Sequence, residues 1–150
     1  MSGMDRQELN SSKRILVKIG SSSLSLAEGL NYRIIERLCD DIAMLKDEGK
    51  EFAIVSSGAV ASGRAITKGC ASSEALSRKQ ALAAIGQGSL IKAYSDAFMR
   101  YGHIAAQILL TRDDIDDRHR YLNIRNTFTA LFELGAVPII NENDTVRVEE

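Results

Sequence analysis

Arg14-Ile15-Leu16-Val17-Lys18-Ile19-Gly20-Ser21-Ser22 is the stretch that decides how this chain folds. Four of the five residues from Ile15 to Ile19 are aliphatic, three of them β-branched, and the run breaks at once into Gly-Ser-Ser-Ser. That pattern reads as a buried strand feeding a tight polar loop. A lysine inside such a strand is out of place, because an ammonium taken out of water is costly unless it is paired. Lys18 therefore calls for a carboxylate partner or for an anion at the strand's end. Gly20 lets main-chain N–H groups approach that anion closely, and Ser21 to Ser23 offer further donors.

Working outward, the 150 residues are enough for one domain with a real core and too few for two ordinary ones. A hydrophobic share of 45% with 26% charged residues is that of a globular protein rather than a disordered one. The net charge of -1 provides no basic field for gripping nucleic acid by its phosphates. No apolar run reaches the length of a membrane helix, and Met1 to Asn10 lacks a signal peptide's apolar core. These features predict a cytoplasmic protein with no membrane or nucleic-acid partner and a flexible tail over residues 1–12. Cys39 and Cys70 have no metal-ligand spacing and are expected as reduced thiols, Cys39 in the core. Scarce aromatics and a single proline favour α/β packing by aliphatic side chains.

Two further strand-to-helix units follow. Asn31 is a suitable N-cap for a helix with Ile35, Leu38, Ile42 and Leu45 on one face, and Gly49 supplies its stop. Phe52-Ala53-Ile54-Val55 is the second strand, and it runs into Ser56-Ser57-Gly58 and a helix from Ala59 to Thr67. A helix starting there points free N–H groups at whatever sits above the strand. Gly58 to Ala65 approaches the phosphate-loop pattern but has Arg64 in place of its lysine and Ala65 in place of its hydroxyl, so a phosphate loop is rejected. The structural alternative is that Gly58 and Gly63 serve close helix–sheet packing.

A loop is predicted over Gly69 to Glu74 and a long helix over Ser77 to Tyr101, with Leu82, Ile85, Leu90, Phe98 and Tyr101 for packing. Gly86 and Gly88 should mark a kink or the approach of another backbone. Ile104 to Leu110 is the third strand, ending in Thr111-Arg112. The acidic cluster Asp113 to Asp117 lacks the glycine and closing glutamate of a calcium loop and fits a helix's first turn. His103 and His119 have no partners at ligand spacing, so no metal is assigned. A helix from Arg120 to Leu134, bearing Tyr121, Leu122, Phe128, Leu131 and Phe132, stops at Gly135. The fourth strand, Ala136 to Ile140, contains Pro138, which lacks a donor and by itself argues for a sheet edge or bulge.

Alternation of strand and helix implies parallel strands joined by right-handed crossovers, so all the strands' carboxyl ends share one edge of the sheet. Lys18-Gly20-Ser21, Ser56-Ser57-Gly58, Thr111-Arg112 and Asn141 to Asp144 should meet there, where open α/β sheets bind ligands. One strand carries a lysine and another two carboxylates, which suits a small zwitterionic or phosphorylated ligand.

At these positions the chain resembles the amino-acid kinase family, and within it the members that phosphorylate glutamate. The resemblance is carried in order by Val17 to Ser21, Val55 to Gly63, Gln80 to Gln87, Gln107 to Arg112, Tyr121-Leu122-Asn123 with Asn126-Thr127, and Val137 to Asp144. It implies a three-layer α/β/α sandwich around a mainly parallel sheet, with Pro138 inside that sheet. It further implies transfer of phosphate from ATP to the γ-carboxylate of L-glutamate in proline biosynthesis, with Mg2+ carried on the ATP phosphates. A homo-dimer or homo-tetramer and feedback inhibition by proline are also implied. Residues 13–150 would be the N-terminal, glutamate-binding part of the kinase domain, the nucleotide-binding part lying beyond Glu150. By motif, Lys18 is the catalytic cation, Lys18, Gly20 and Ser21 meet the nucleotide's phosphates, and Ser57, Gly58, Asn141 and Asp144 hold glutamate. Two rivals compete with this reading: a non-catalytic amino-acid-binding regulatory module, and a kinase of another small carboxylate or carbamate.

Overall fold

The computed structural model describes residues 11–26, 29–68 and 75–146. The chain runs β1 (Arg14–Ile19), α1 (Ser21–Leu24), the short strands β2 (Ser25–Leu26) and β3 (Gly29–Leu30), α2 (Tyr32–Asp47), β4 (Glu51–Ser56) and α3 (Ala59–Ile66). It continues through α4 (Leu76–Met99), β5 (Ala105–Leu110), α5 (Arg112–Asp116), α6 (Arg118–Glu133), β6 (Val137–Glu142) and a 3-10 turn over Asp144–Val146. Of the predicted features, Met1 to Asn10, the Gly69 to Glu74 loop and Cys70 lie outside the described residues. Ser12, at the end of the expected tail, is held by its carbonyl, which accepts from Lys50 Nζ at 3.0 Å.

β1, β4, β6 and β5 form one sheet in that order, and every pairing in it is parallel. The strands' carboxyl ends therefore do share an edge. Register places Ile15 beside Phe52, Val17 beside Ile54, and Ile54 beside Ile139. This face of the sheet joins Ile35 and Ile42 of α2 and Leu90, Tyr94 and Phe98 of α4 in a single apolar core. Arg14 belongs to the other face, where its guanidinium stacks 4.1 Å from the Phe132 ring of α6. Helices on both faces make the three layers that the resemblance implies. The α6 layer is thin: none of its residues is buried, and Tyr121 and Leu122 are exposed.

Two expectations need correction. First, β1 is not a buried strand. Among the described residues it pairs with β4 alone, so it stands at the sheet's edge, and its side chains alternate between half-buried and exposed. Leu16 is 64% exposed and Lys18 is exposed with it. Second, Gly20 opens a helical turn rather than a loop, its carbonyl accepting from Ser23 N and Leu24 N at 3.2 and 3.3 Å. Pro138 sits in the interior strand β6, between β4 and β5, as the resemblance implies and against the edge signal of the proline by itself. Pro138 is registered beside Ala106 of β5, while the ladder to β4 begins at Ile139, one residue on, so the missing donor removes no registered pairing with β4.

The helix signals held where they were local. Asn31 Oδ1 accepts from Ile34 N at 3.4 Å to cap α2, and Gly49 takes a left-handed φ of 91° just past its end. Thr111 and Asp114 form a capping box that opens α5 and accounts for the acidic cluster. Cys39 is fully buried, and burial pushes its thiol up to about 12. Ile85 of α4 and Tyr101, just past its end, are exposed instead of packed, and the Tyr101 hydroxyl donates to Asp40 at 2.8 Å.

Helix α4 runs unbroken through both of its glycines. A Cβ at Gly86 would lie 1.9 Å from the Ala59 carbonyl oxygen and 2.4 Å from Gly63 N, and one at Gly63 would lie 1.9 Å from Leu82 O. Two helix backbones touch here, α3 on α4, so Gly63 serves helix–helix rather than helix–sheet packing. Gly88 has nothing within 4 Å. Among the described residues, no helix is long and apolar enough to cross a membrane.

Candidate active-site cleft

A cleft of about 1020 Å³ opens at the carboxyl edge of the sheet, and Lys18, Ser21, Ser57, Gly58, Asn141 and Asp144 all line it. Its size matches the upper end of ordinary small-molecule sites, roughly 1,000 Å³. Gly20 lies between Lys18 and Ser21, at the N-cap of α1, but not on the cleft wall.

The wall from β4 is held on both sides. Ser57 N donates to Ile19 O at 3.2 Å, tying the end of β4 to the end of β1. Ser56 is buried, its hydroxyl 3.0 Å from that of Tyr94 on α4 and within 3.2 Å of the Ser57 carbonyl, to which it donates. Burial raises the Tyr94 phenol to about 12, so it stays protonated as a hydrogen-bonding group. Gly58 then turns the chain with φ 106° into α3. That left-handed backbone disfavours any other residue, and a Cβ would also meet Leu24 at 3.5 Å. No side-chain hydrogen bond caps α3 at Gly58, and a helix start left uncapped in this way is the usual setting for an anion.

The wall from β6 is Asn141, only 8% exposed. Its Nδ2 donates to Gln87 Oε1 of α4 at 2.8 Å, and its Oδ1 accepts from Glu142 N at 2.9 Å. Asn143 N donates to Leu110 O at 2.8 Å, fixing the segment that delivers Asp144 into the 3-10 turn.

Lys18 is informative for a different reason from the one that drew attention to it. Exposed lysines need no partner. What matters is placement: its strand carries it to the same cleft as Ser57 and Asp144, and among the described residues its ammonium has no ion pair or hydrogen bond. Thr111 and Arg112 do not join them. They follow the far edge strand β5, and the Thr111 hydroxyl and N–H are both spent on Asp114 Oδ2, at 2.7 and 2.8 Å. Those bonds are the main cause of the lowered Asp114 pKa.

Glu142, one of the two carboxylates expected at the end of β6, also lines the cleft, and so do Arg64 and Lys68 of the α3 segment, which were not singled out from sequence. Arg64 served there only to reject a phosphate loop. The spacing Val60, Arg64, Lys68 marks one helical face, but nothing local says that this face turns to the cleft. Together the walls carry three cations, two carboxylates and the uncapped start of α3, a set suited to a small ligand with both signs of charge and a net negative one.

A model of the amino acid kinase family matches residues 13–150 of this chain. Among curated proteins, glutamate 5-kinase 2 of Bacillus subtilis is 52% identical over 139 residues, which is 92% of this chain and 38% of that protein. The glutamate 5-kinase of Maridesulfovibrio salexigens is 49% identical over 144 residues, 96% of this chain and 38% of its own length. That of Nitratidesulfovibrio vulgaris strain DP4 is 46% identical over 142 residues, 95% and 37% respectively. The chain thus spans somewhat more than a third of the length of these relatives.

Proposed function

Because this chain belongs to the amino acid kinase family, a family of phosphoryl-transfer enzymes, we propose that its cleft holds L-glutamate and presents the γ-carboxylate to ATP. The product is glutamyl 5-phosphate, in the first step of proline biosynthesis. Relatives named glutamate 5-kinase, similar over more than nine-tenths of the chain, support the reading. The observation that carries it is the meeting of Lys18, Ser57, Gly58 and Asp144 in one cleft.

The residues divide the work by charge. A γ-carboxylate with a pKa near about 4.3 is ionised at neutral pH, so the nucleophile needs no general base. Phosphoryl transfer asks instead for alignment and for positive charge around the moving group. Lys18 supplies that charge, assisted by main-chain N–H groups at Gly20 and Ser21. Ser57, the start of α3 and Asn141 hold the amino acid, and the Asp144 carboxylate faces its ammonium. ATP arrives with Mg2+ on its phosphates, and the metal supplies further neutralisation of phosphate charge. In this reading residues 13–150 are the amino-acid-binding part of the kinase domain and the nucleotide base is held elsewhere. It extends to a cytoplasmic homo-dimer or homo-tetramer restrained by proline at the glutamate cleft.

Calorimetric titration with L-glutamate, paired with hydroxylamine trapping of the acyl phosphate in the presence of ATP and Mg2+, tests the proposal. Saturable glutamate binding and a hydroxamate product are expected. Absence of glutamate binding would refute the reading, whereas binding and ATP turnover with a different carboxylate would reassign the acceptor.

A further inference from the structure

The Asn141 amide in the cleft wall is fixed from two sides. The Glu142 main-chain N–H can only donate, so the Asn141 atom that faces it at 2.9 Å is Oδ1. That leaves Nδ2 toward α4, where Gln87 Oε1 accepts from it at 2.8 Å. An amide has two N–H hydrogens and two acceptor lone pairs. With one of each engaged by the protein, one donor and one acceptor remain on a residue that lines the cleft. That pair matches a group offering an acceptor oxygen and a donor nitrogen on one carbon, the carboxylate and ammonium of an α-amino acid.

We propose that Gln87 is a positioning residue that locks the Asn141 amide in the orientation required to read a zwitterionic α-amino acid. Gln87 has an unusually firm base. It follows Gly86, whose missing side chain lets α4 sit directly against Ala59 and Gly63 of α3, so the helix contact that shapes one cleft wall also sets the reach of Gln87 to the other. The two partners are 54 residues apart in sequence, and Gln87 itself does not line the cleft. The proposal rests on the reading of the cleft as an amino-acid site.

The test is a double-mutant cycle on L-glutamate affinity, measured by calorimetry. Gln87→Met keeps the side chain's length and removes the acceptor; it should weaken binding by about fivefold, the range of one neutral hydrogen bond, with the thermal midpoint little changed. Asn141→Ala weakens binding by itself, and Gln87→Met should add nothing in that background. Gln87→Glu, which retains an acceptor oxygen for Asn141, should bind closer to the wild type than Gln87→Met and serves if the methionine variant folds poorly. Unchanged affinity in Gln87→Met, or losses that multiply in the double variant, would overturn the positioning role while leaving the amino-acid site standing. No glutamate binding by the wild type would remove both.

Discussion

Replacing Gly86 by alanine sets a methyl group 1.9 Å from the Ala59 carbonyl oxygen and 2.4 Å from Gly63 N, both main-chain atoms of α3. Neither obstacle can swing aside as a side chain would, so the helices must part by about 1 Å before the contact becomes tolerable, forfeiting much of the dispersion along their line of contact. Overpacking of this kind costs about 1–3 kcal/mol, and main-chain obstacles put it at or beyond the upper end. Alanine returns about 1 kcal/mol of helix propensity, leaving a net loss of about 2 kcal/mol or more. At about 3 °C per kcal/mol for a chain of this size, the thermal midpoint should fall by about 6 °C. Gly88, two residues on in the same helix and open to solvent, is the internal control. There alanine meets nothing, so Gly88→Ala should raise stability by about 0.5–1 kcal/mol. Urea unfolding followed by circular dichroism, with midpoint and slope fitted separately, reads both. Opposite signs are expected from identical chemistry. A Gly86→Ala variant as stable as the parent would refute the backbone crossing.

Other expectations concern the cleft and the core. Lys18→Ala should lower kcat by about a hundredfold or more while KM for glutamate moves far less, since its charge is assigned to the transferring group; unchanged kcat in a steady-state assay removes Lys18 from the chemistry. Asp144→Ala should weaken L-glutamate binding by about tenfold in calorimetry, and an effect on thermal stability alone would reduce Asp144 to a turn residue. The Cys39 thiol is raised from 9.0 to about 12 in the fold. The unfolded chain therefore loses that proton first, and the thiol's contribution, intact below about pH 9, is lost as pH rises toward 12. Urea midpoints of the wild type should fall from about pH 9 upward, and Cys39→Ala should flatten the first part of that fall whatever its effect at pH 7. Equal slopes in the two proteins would refute the role given to the buried thiol.

What the sequence disclosed was whatever depends on near neighbours. The Asn31 cap, the Gly49 and Gly135 stops and the acidic first turn after Thr111 depend on residues a few positions apart and were legible as short patterns, whereas the Thr111–Asp114 capping box was not read because Thr111 was assigned to the cleft. The convergence of Lys18, Ser57, Asn141 and Asp144 was also legible, because strand–helix alternation alone forces parallel ends onto one edge. Strand order was not. Nothing within Arg14 to Ile19 states that β1 has a neighbour on one side only, so Lys18 looked buried when it is exposed. For the same reason Thr111 and Arg112 were expected at a cleft that the order β1-β4-β6-β5 keeps from them. Gly63 and Gly86 announced a close approach without naming what approaches, and the Gln87–Asn141 bond spans 54 residues, beyond the reach of any periodicity.

β1 is paired on one side only among the described residues. Among the described residues no strand lies beyond it, which leaves a line of main-chain donors and acceptors able to receive one more ribbon, with Arg14 and Lys18 as the charges that discourage indiscriminate stacking. Whatever ribbon is accepted there, from further chain or from another molecule, comes to lie alongside the ammonium of Lys18. Growth of the sheet in that direction and the aim of its reactive cation are thus governed by the same seam.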